Sequence, residues 1–319
     1  MDVQIVGGGI IGLSIAWRLV QRGVKVTICD KGPIASESSW AGAGMLSPGG
    51  EFRADSPWTR RAIESLALFT PFVEELRSES GVSIDFHVCG AMELDNPEPP
   101  APGIEWQALS ADEAARRAPI PGIGAARWFP GEAQADPRSM CAALAAVCRA
   151  RGVQIHEHTA IDRPASPCVI AAGAWASQIR TGIPRAYPVR GTLLGYRLEP
   201  GTLPCIVRRG HHYALQRQSG FTIFGSDHAP EVWTYAPDPA SVNLLRRAAS
   251  DLLPTLLDRP PDEVWTGLRP ASDASDPVVE KIPGENTWLA YGHFRNGILL
   301  APITARMIAD SIMSTLGTD

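Results

Sequence analysis

The apolar positions of the first thirty residues change period twice. Asp2-Val3-Gln4-Ile5-Val6 is a short β-prone run. Gly7 to Gly12 follow, and then Leu13, Ala16, Trp17, Leu19 and Val20 recur at the spacing of one helix face, which Gly23 ends. Val24 to Cys29 returns to a strand run, and Asp30 closes it. The order strand, glycine turn, helix, strand predicts a βαβ unit.

Further on, Trp58, Ile63, Leu66, Phe69, Phe72, Val73 and Leu76 lie near i, i+3, i+4 and predict an amphipathic helix over 57–80. Residues 84–94 read as strands. Asn96 to Pro102 is too rich in proline for a helix or a central strand and reads as a loop. Ser110 and Glu113 form a capping-box pattern at the head of a short helix over 110–117. An alanine-rich helix is predicted over 137–151, then strands from Val153 to Glu157 and Cys168 to Ala172. Antiparallel strands are predicted for Arg190 to Arg197, His211 to Arg217 and Phe221 to Gly225. A helix over 238–257, a strand over 287–292 and a last helix over 297–315 complete the pattern.

Composition narrows the function. The 319 residues are 45% hydrophobic and 20% charged, which suits a globular core. A net charge of −5 gives no basic field, so nucleic acid is not expected as a partner. No stretch of about 18 uninterrupted apolar residues suggests membrane insertion. The apolar N-terminus lacks a basic n-region and holds Gly7, Gly8, Gly9 and Gly12, so it reads as structure and not as a signal peptide. Six scattered cysteines without a CxxC pair read as reduced thiols, and the cytoplasm as the compartment. No His/Cys/Asp/Glu group has metal-ligand spacing, and no Gly-x-Ser-x-Gly elbow supports a hydrolase.

The βαβ unit carries the first chemistry. Gly7, Gly9 and Gly12 fill GxGxxG, and Asp30 lies 18 residues beyond the last of them. Gly7 makes the turn, Gly9 leaves room for a pyrophosphate, and Gly12 lets helix and strand approach. The helix N-terminus favours phosphate, and the Asp30 carboxylate can accept from ribose hydroxyls. The small, polar stretch Glu37-Ser38-Ser39-Trp40-Ala41-Gly42-Ala43-Gly44-Met45-Leu46-Ser47-Pro48 suits FAD better than a nicotinamide dinucleotide, because it can run along a pyrophosphate and ribityl chain.

With three segments in view, the chain resembles the D-amino acid oxidase family of flavoproteins, and most closely its glycine oxidase branch. The first is the βαβ unit with Ser38 to Leu46. The second is Ala135-Asp136-Pro137-Arg138, Arg151-Gly152-Val153 and Val169 to Ala176. The third is Gly267-Leu268-Arg269-Pro270 with Gly292-His293-Phe294-Arg295-Asn296-Gly297-Ile298-Leu299-Leu300-Ala301-Pro302. The resemblance implies an α/β fold: a Rossmann-like FAD-binding domain (1–48, 133–175 and 284–319) and a discontinuous antiparallel-sheet substrate domain (49–132 and 176–283). Between the strands near 155 and 170 the family carries a longer excursion, shortened here to Thr159–Pro167.

The resemblance also implies roles. FAD, held noncovalently, would contact Gly7, Gly9, Ile10, Ile11, Gly12, Asp30, Lys31, Ser38, Ser39, Trp40, Ala41, Gly44, Met45, Leu46, Ile161, Ala172, Gly173, Trp175, Arg269, Arg295, Asn296, Gly297, Ile298 and Leu299. Arg269, in a Gly-Leu-Arg-Pro turn, would pair with a substrate carboxylate through its planar fork. Tyr213 would contact the same carboxylate. His211, two residues earlier on the same strand face, would lie near the flavin, and Arg295 would face the substrate or serve a lid or interface. His228 replaces an apolar residue of the family pattern; it either faces the flavin or is a solvated loop histidine. The implied reaction is oxidative deamination of glycine or a similar small amino acid or secondary amine. Hydride would pass to flavin N5, giving an imine, and O₂ would be reduced to H₂O₂. The implied partners are a small amino acid or amine substrate, O₂ and further copies of the chain in a homo-oligomer, in the service of thiamine thiazole synthesis. A dehydrogenase with another electron acceptor and a non-catalytic flavin-binding partner protein remain as alternatives.

Overall fold

Val3 and Ile5 have no exposed surface, as expected of a parallel strand covered on both faces. They belong to β1 (Asp2–Val6), which a computed structural model of residues 2–96, 98–118 and 120–317 places near the middle of a six-stranded sheet. The chain continues through α1 (Ile10–Val20), β2 (Lys25–Cys29), α2 (Pro57–Ser80), α3 (Pro137–Ala150), β3 (Gln154–His156), β4 (Cys168–Ile170), β5 (Ala186–Arg197), β6 (His212–Gln216), β7 (Phe221–Gly225), α4 (Pro239–Leu252), β8 (Glu263–Ser272), β9 (Val278–Lys281), β10 (Thr287–Tyr291) and α5 (Gly297–Leu316).

The first sheet has the order β9, β10, β4, β1, β2, β3. All neighbours are parallel except the β9–β10 pair. One continuous apolar core joins its side chains to α1, α2, α3 and α5. By length and hydropathy α5 is apolar enough to cross a membrane, yet 61% of its most apolar window is buried inside the fold. It is apolar on all sides because it is a core helix.

The second sheet has nine strands. β5 is its spine, antiparallel to β7 and, through ten paired residues from Ala186↔Ser272 to Gly195↔Glu263, to β8. α4 covers one face, where Tyr196, Phe224, Leu245, Ala249 and Leu252 pack. The other face presents Leu193, Tyr213, Ile223 and Trp265 to Ala41 and Ala43 of the first unit. A three-stranded ribbon of Met45–Leu46, Ala133–Ala135 and Phe86–His87 links the two halves.

Four expectations change. The Gly-Leu-Arg-Pro motif is not a turn; it lies inside β8, whose position at the sheet edge tolerates Pro270. The helix over 57–80 forms, but it packs into the core of the first unit and not with the substrate domain. Its apolar stripe finds the faces of α3 and α5. β9, also expected in the substrate domain, extends the first sheet by pairing with β10. The helix over 238–257 stops at Leu252 and resumes as one 3₁₀ turn over Pro254–Leu256, because Pro254 cannot continue the hydrogen-bond ladder. The Ser110–Glu113 capping box is present. The stretch from Asn96 to Pro102 is irregular in its described residues; Pro97 lies outside them.

Candidate active site

At one end the site is made of backbone. Gly7 leaves β1 with φ +110°, and a Cβ there would lie 2.4 Å from the Ala171 carbonyl oxygen. A Cβ on Gly12 would lie 2.0 Å from the Gly7 oxygen, so this glycine serves helix–strand packing. Gly9 caps α1 and has no side chain to satisfy the first-turn N–H groups. Ser39 Oγ accepts from the Ile10 N–H at 2.9 Å. The Asp30 carboxylate accepts from the Gly8 N–H at 2.7 Å and the Gly32 N–H at 2.9 Å, which fixes the glycine turn against the end of β2.

A cavity of about 400 Å³ runs from this turn between the two sheets. Gly7, Gly9, Ile10, Ile11, Asp30, Lys31, Ser38, Ser39, Ala41, Gly44, Met45, Ile161, Ala172, Gly173 and Trp175 line it, and Tyr213, Arg269, Arg295, Asn296, Gly297 and Ile298 complete its far end. Five expected residues stand outside the lining. Gly12 lies behind the turn. Trp40 is exposed under the Arg138 guanidinium, 3.8 Å from the ring centroid. Leu46 is buried in the core. Leu299 is buried, and its carbonyl accepts from Ser65 Oγ at 2.6 Å. His211 is exposed in the turn before β6, which begins only at His212, so the same-face argument with Tyr213 fails.

The far end is made of side chains. Arg269 on β8 donates to Ser226 Oγ at 2.5 Å and to the Asp227 carbonyl at 3.2 Å. Its guanidinium lies across Gly191 of β5, where a Cβ would be 2.0 Å from Nη2. The Asp227 carboxylate is turned away, accepting from the Thr192 N–H and hydroxyl. The hydrogen-bond partners of Arg269 are therefore neutral oxygens. Burial lowers its pKa and the nearby Arg295 adds to that, opposed by Tyr213, Asp227 and Glu51. Tyr213 is buried beside it; burial raises the phenol's pKa, opposed by Arg269 and Arg295, so the hydroxyl remains a donor.

Arg295 pairs instead with Glu51 at 3.2 Å. Glu51 ends the short helix Pro48–Glu51. That helix is held by the buried Glu132, which accepts from the Gly49 N–H at 2.6 Å and pairs with Arg208. Neither Glu51 nor Ser226 was expected from the sequence. The hint was position alone: Glu51 closes the small-residue run that begins at Ser38. His293 also lines the cavity; its Nε2 lies 3.0 Å from Thr304 Oγ1, and burial pushes its pKa down to about 3. His228 is exposed and edge-on to Phe294 at 5.9 Å, outside the lining. Burial, Arg269 and Arg295 lower its pKa, in that order.

The residues present fit an FAD. Two helix N-termini open into one cavity, and neither Gly9 nor Asn296 makes a side-chain cap hydrogen bond there. Their N–H groups are suited to the phosphates at one end and to an electron-rich ring at the other. The small residues Gly42, Ala43, Gly44 and Gly173 line the stretch between.

Comparison with known proteins agrees with an FAD-binding fold. The family model described as FAD dependent oxidoreductase (DAO) matches residues 2–311. A glycine oxidase of Bacillus licheniformis is 31% identical, over 98% of this chain and 93% of that protein. The bifunctional protein ThiO/ThiG of Synechocystis sp. is 32% identical, over 98% of this chain and 51% of that protein. The crystal structure of glycine oxidase from Geobacillus kaustophilus superposes with a TM-score of 0.92 at 28% identity, over 98% and 94% of the two chains.

Proposed function

The chain belongs to the DAO family of FAD dependent oxidoreductases, and from that premise we propose that it oxidatively deaminates glycine or a similarly small amino acid or secondary amine. The observation that carries the reading is the Arg269 guanidinium, half-buried at the end of the cavity with only neutral oxygens as hydrogen-bond partners. A cation withdrawn this far from water is costly until an anion meets it. Glu51 pairs with Arg295 and the Asp227 carboxylate is engaged by Thr192, which leaves Arg269 without a hydrogen-bonded carboxylate to balance it. One carboxylate with a neutral amine fits that balance.

Arg269 would hold the carboxylate bidentately, and Tyr213 would donate a further hydrogen bond. Bound FAD would supply the two-electron acceptor. The α5 N-terminus, through Gly297 and Ile298, would stabilise negative charge developing at the ring end without a charged side chain. In this reading O₂ is the final acceptor, H₂O₂ the second product, and the imine a precursor for thiamine thiazole synthesis; similarity to glycine oxidases and to a ThiO/ThiG protein supports it. The free state of the six thiols supports a cytoplasmic site.

The test is anaerobic mixing of the yellow holoprotein with glycine, sarcosine and D-amino acids. Bleaching by a small amino acid, with peroxide on admitting air, is the expected result. Bleaching without peroxide would leave a dehydrogenase. Colour that persists with every carboxylated amine would overturn the reading.

A further inference from the structure

The proposed reaction uses only the first two residues of the segment that joins β7 to α4. Ser226 and Asp227 hold Arg269; the remainder, up to the α4 cap Asp238, runs along the outside of the cavity. It displays two large aromatic side chains at the surface, Trp233 at 41% and Tyr235 at 49% exposure. Their partners lie on the other half of the molecule. The Trp233 ring meets that of Trp175 with centroids 5.5 Å apart, and Lys31 Nζ sits 3.4 Å from the Trp175 centroid. The Tyr235 hydroxyl donates to Glu37. Trp175, Lys31 and Glu37 all line the nucleotide end of the cavity.

The backbone of the segment is tied to the second sheet. The Tyr235 carbonyl accepts from Thr266 Oγ1 at 2.6 Å, the Ala236 carbonyl from Arg190 Nη1 at 2.9 Å, and the Pro188 carbonyl from the Glu231 N–H at 2.8 Å. One side is therefore anchored on β5 and β8, and the aromatic side chains reach across to residues that wall the cofactor channel.

We propose that residues 226–238 form a strap that retains the cofactor by closing Trp233 onto Trp175 and Tyr235 onto Glu37. FAD leaves only when both contacts part. This holds for any reaction the bound flavin serves and does not depend on the substrate.

The experiment follows free flavin fluorescence after dilution of the holoprotein into flavin-free buffer. An aromatic pair of this kind corresponds to roughly 2- to 12-fold in a rate. Trp233→Ala should speed FAD release by that factor, and Trp233→Phe should restore most of the retention. Tyr235→Phe removes one exposed hydrogen bond to a carboxylate and should speed release roughly 2- to 5-fold. The double variant should exceed either alone. Melting of the apoprotein should be unchanged, since both rings are half exposed. Release at the wild-type rate in the double variant overturns the strap. So does faster release accompanied by an equal fall in apoprotein melting temperature for Trp233→Ala and Trp233→Phe, which would mark general destabilisation.

Discussion

The two ends of the cavity solve the same problem, holding negative charge, by opposite means. The nucleotide end relies mainly on main-chain N–H groups, a helix dipole and missing side chains around residues 7–12, with Asp30 and Ser39 close by in sequence to fix the turn. The substrate end uses a guanidinium and a phenol drawn from β8 and β6, steadied by Ser226 after β7 and laid over Gly191 of β5. A backbone site tolerates no added atom but needs little help from a distance. A side-chain site depends on strands far apart in sequence and responds to each chemical group separately.

The sharpest test of that contrast adds atoms to the backbone end. A Cβ on Gly9 would already stand 3.1 Å from Ser39 Oγ, and the branches of Gly9→Val would enter the cavity. Purified Gly9→Val should be colourless, with no stoichiometric flavin in its absorption spectrum. Retained FAD would remove the phosphate assignment.

Next comes the charged fork. Arg269→Lys keeps the charge but loses the bidentate geometry. Disrupting a buried charge pair costs on the order of 2–5 kcal/mol, roughly 30- to 4,000-fold in kcat/KM. Bound flavin should be unaffected, and a carboxylate-free amine should lose little. Equal losses for glycine and for the amine would sink the clamp.

A smaller effect lies in pH. Burial holds His293 at a pKa of about 3, against roughly 6.5 in the unfolded chain. Below that unfolded value the unfolded state takes up a proton that the folded state refuses, so stability falls as pH drops from about 6.5 towards 3. The slope from this one group is at most about 1.4 kcal/mol per pH unit. Thermal melting of wild type and His293→Gln between pH 7 and 4.5 should show a shallower acid slope in the variant. Matching slopes would contradict a neutral buried imidazole.

The smallest effect returns to the nucleotide end. Asp30→Asn keeps an acceptor for the turn but loses charge assistance. FAD affinity should fall by about 1 kcal/mol, roughly fivefold. Relative rates on glycine and sarcosine should not change, and a changed ratio would break the separation between the two ends.

The same contrast explains what could be read in advance. Gly7, Gly9, Gly12 and Asp30 were legible because their roles are fixed by neighbours a few residues away. Arg269 was identified through family resemblance, yet its local setting was misread: glycine and proline around it suggest a turn, and only pairing with β5 makes it a strand. Glu51 and Ser226 carried no local sign, since their partners Arg295 and Arg269 lie far along the chain. The phase of β6 decided His211: starting one residue later, the strand leaves that histidine in a turn. The stripe of α2 was plain, but a stripe does not name the surface it will cover, and α5 supplied it.

The ladder between β5 and β8 restricts how new specificities can arise on this scaffold. Arg269 faces the cavity because Val189 lies opposite it and Gly267 opposite Gly191. Side chains alternate with each step along a strand, so a one-residue slip reverses every one of them. An insertion or deletion between Glu263 and Leu268 that shifted this register would turn the guanidinium out and expose an unrelated residue to the substrate. Descendants of this chain can therefore explore other substrates by exchanging residues at 213, 226 and 269 without changing the length of β8. Lineages that diverge in substrate should differ in side chains along β8 and hold its residue count constant.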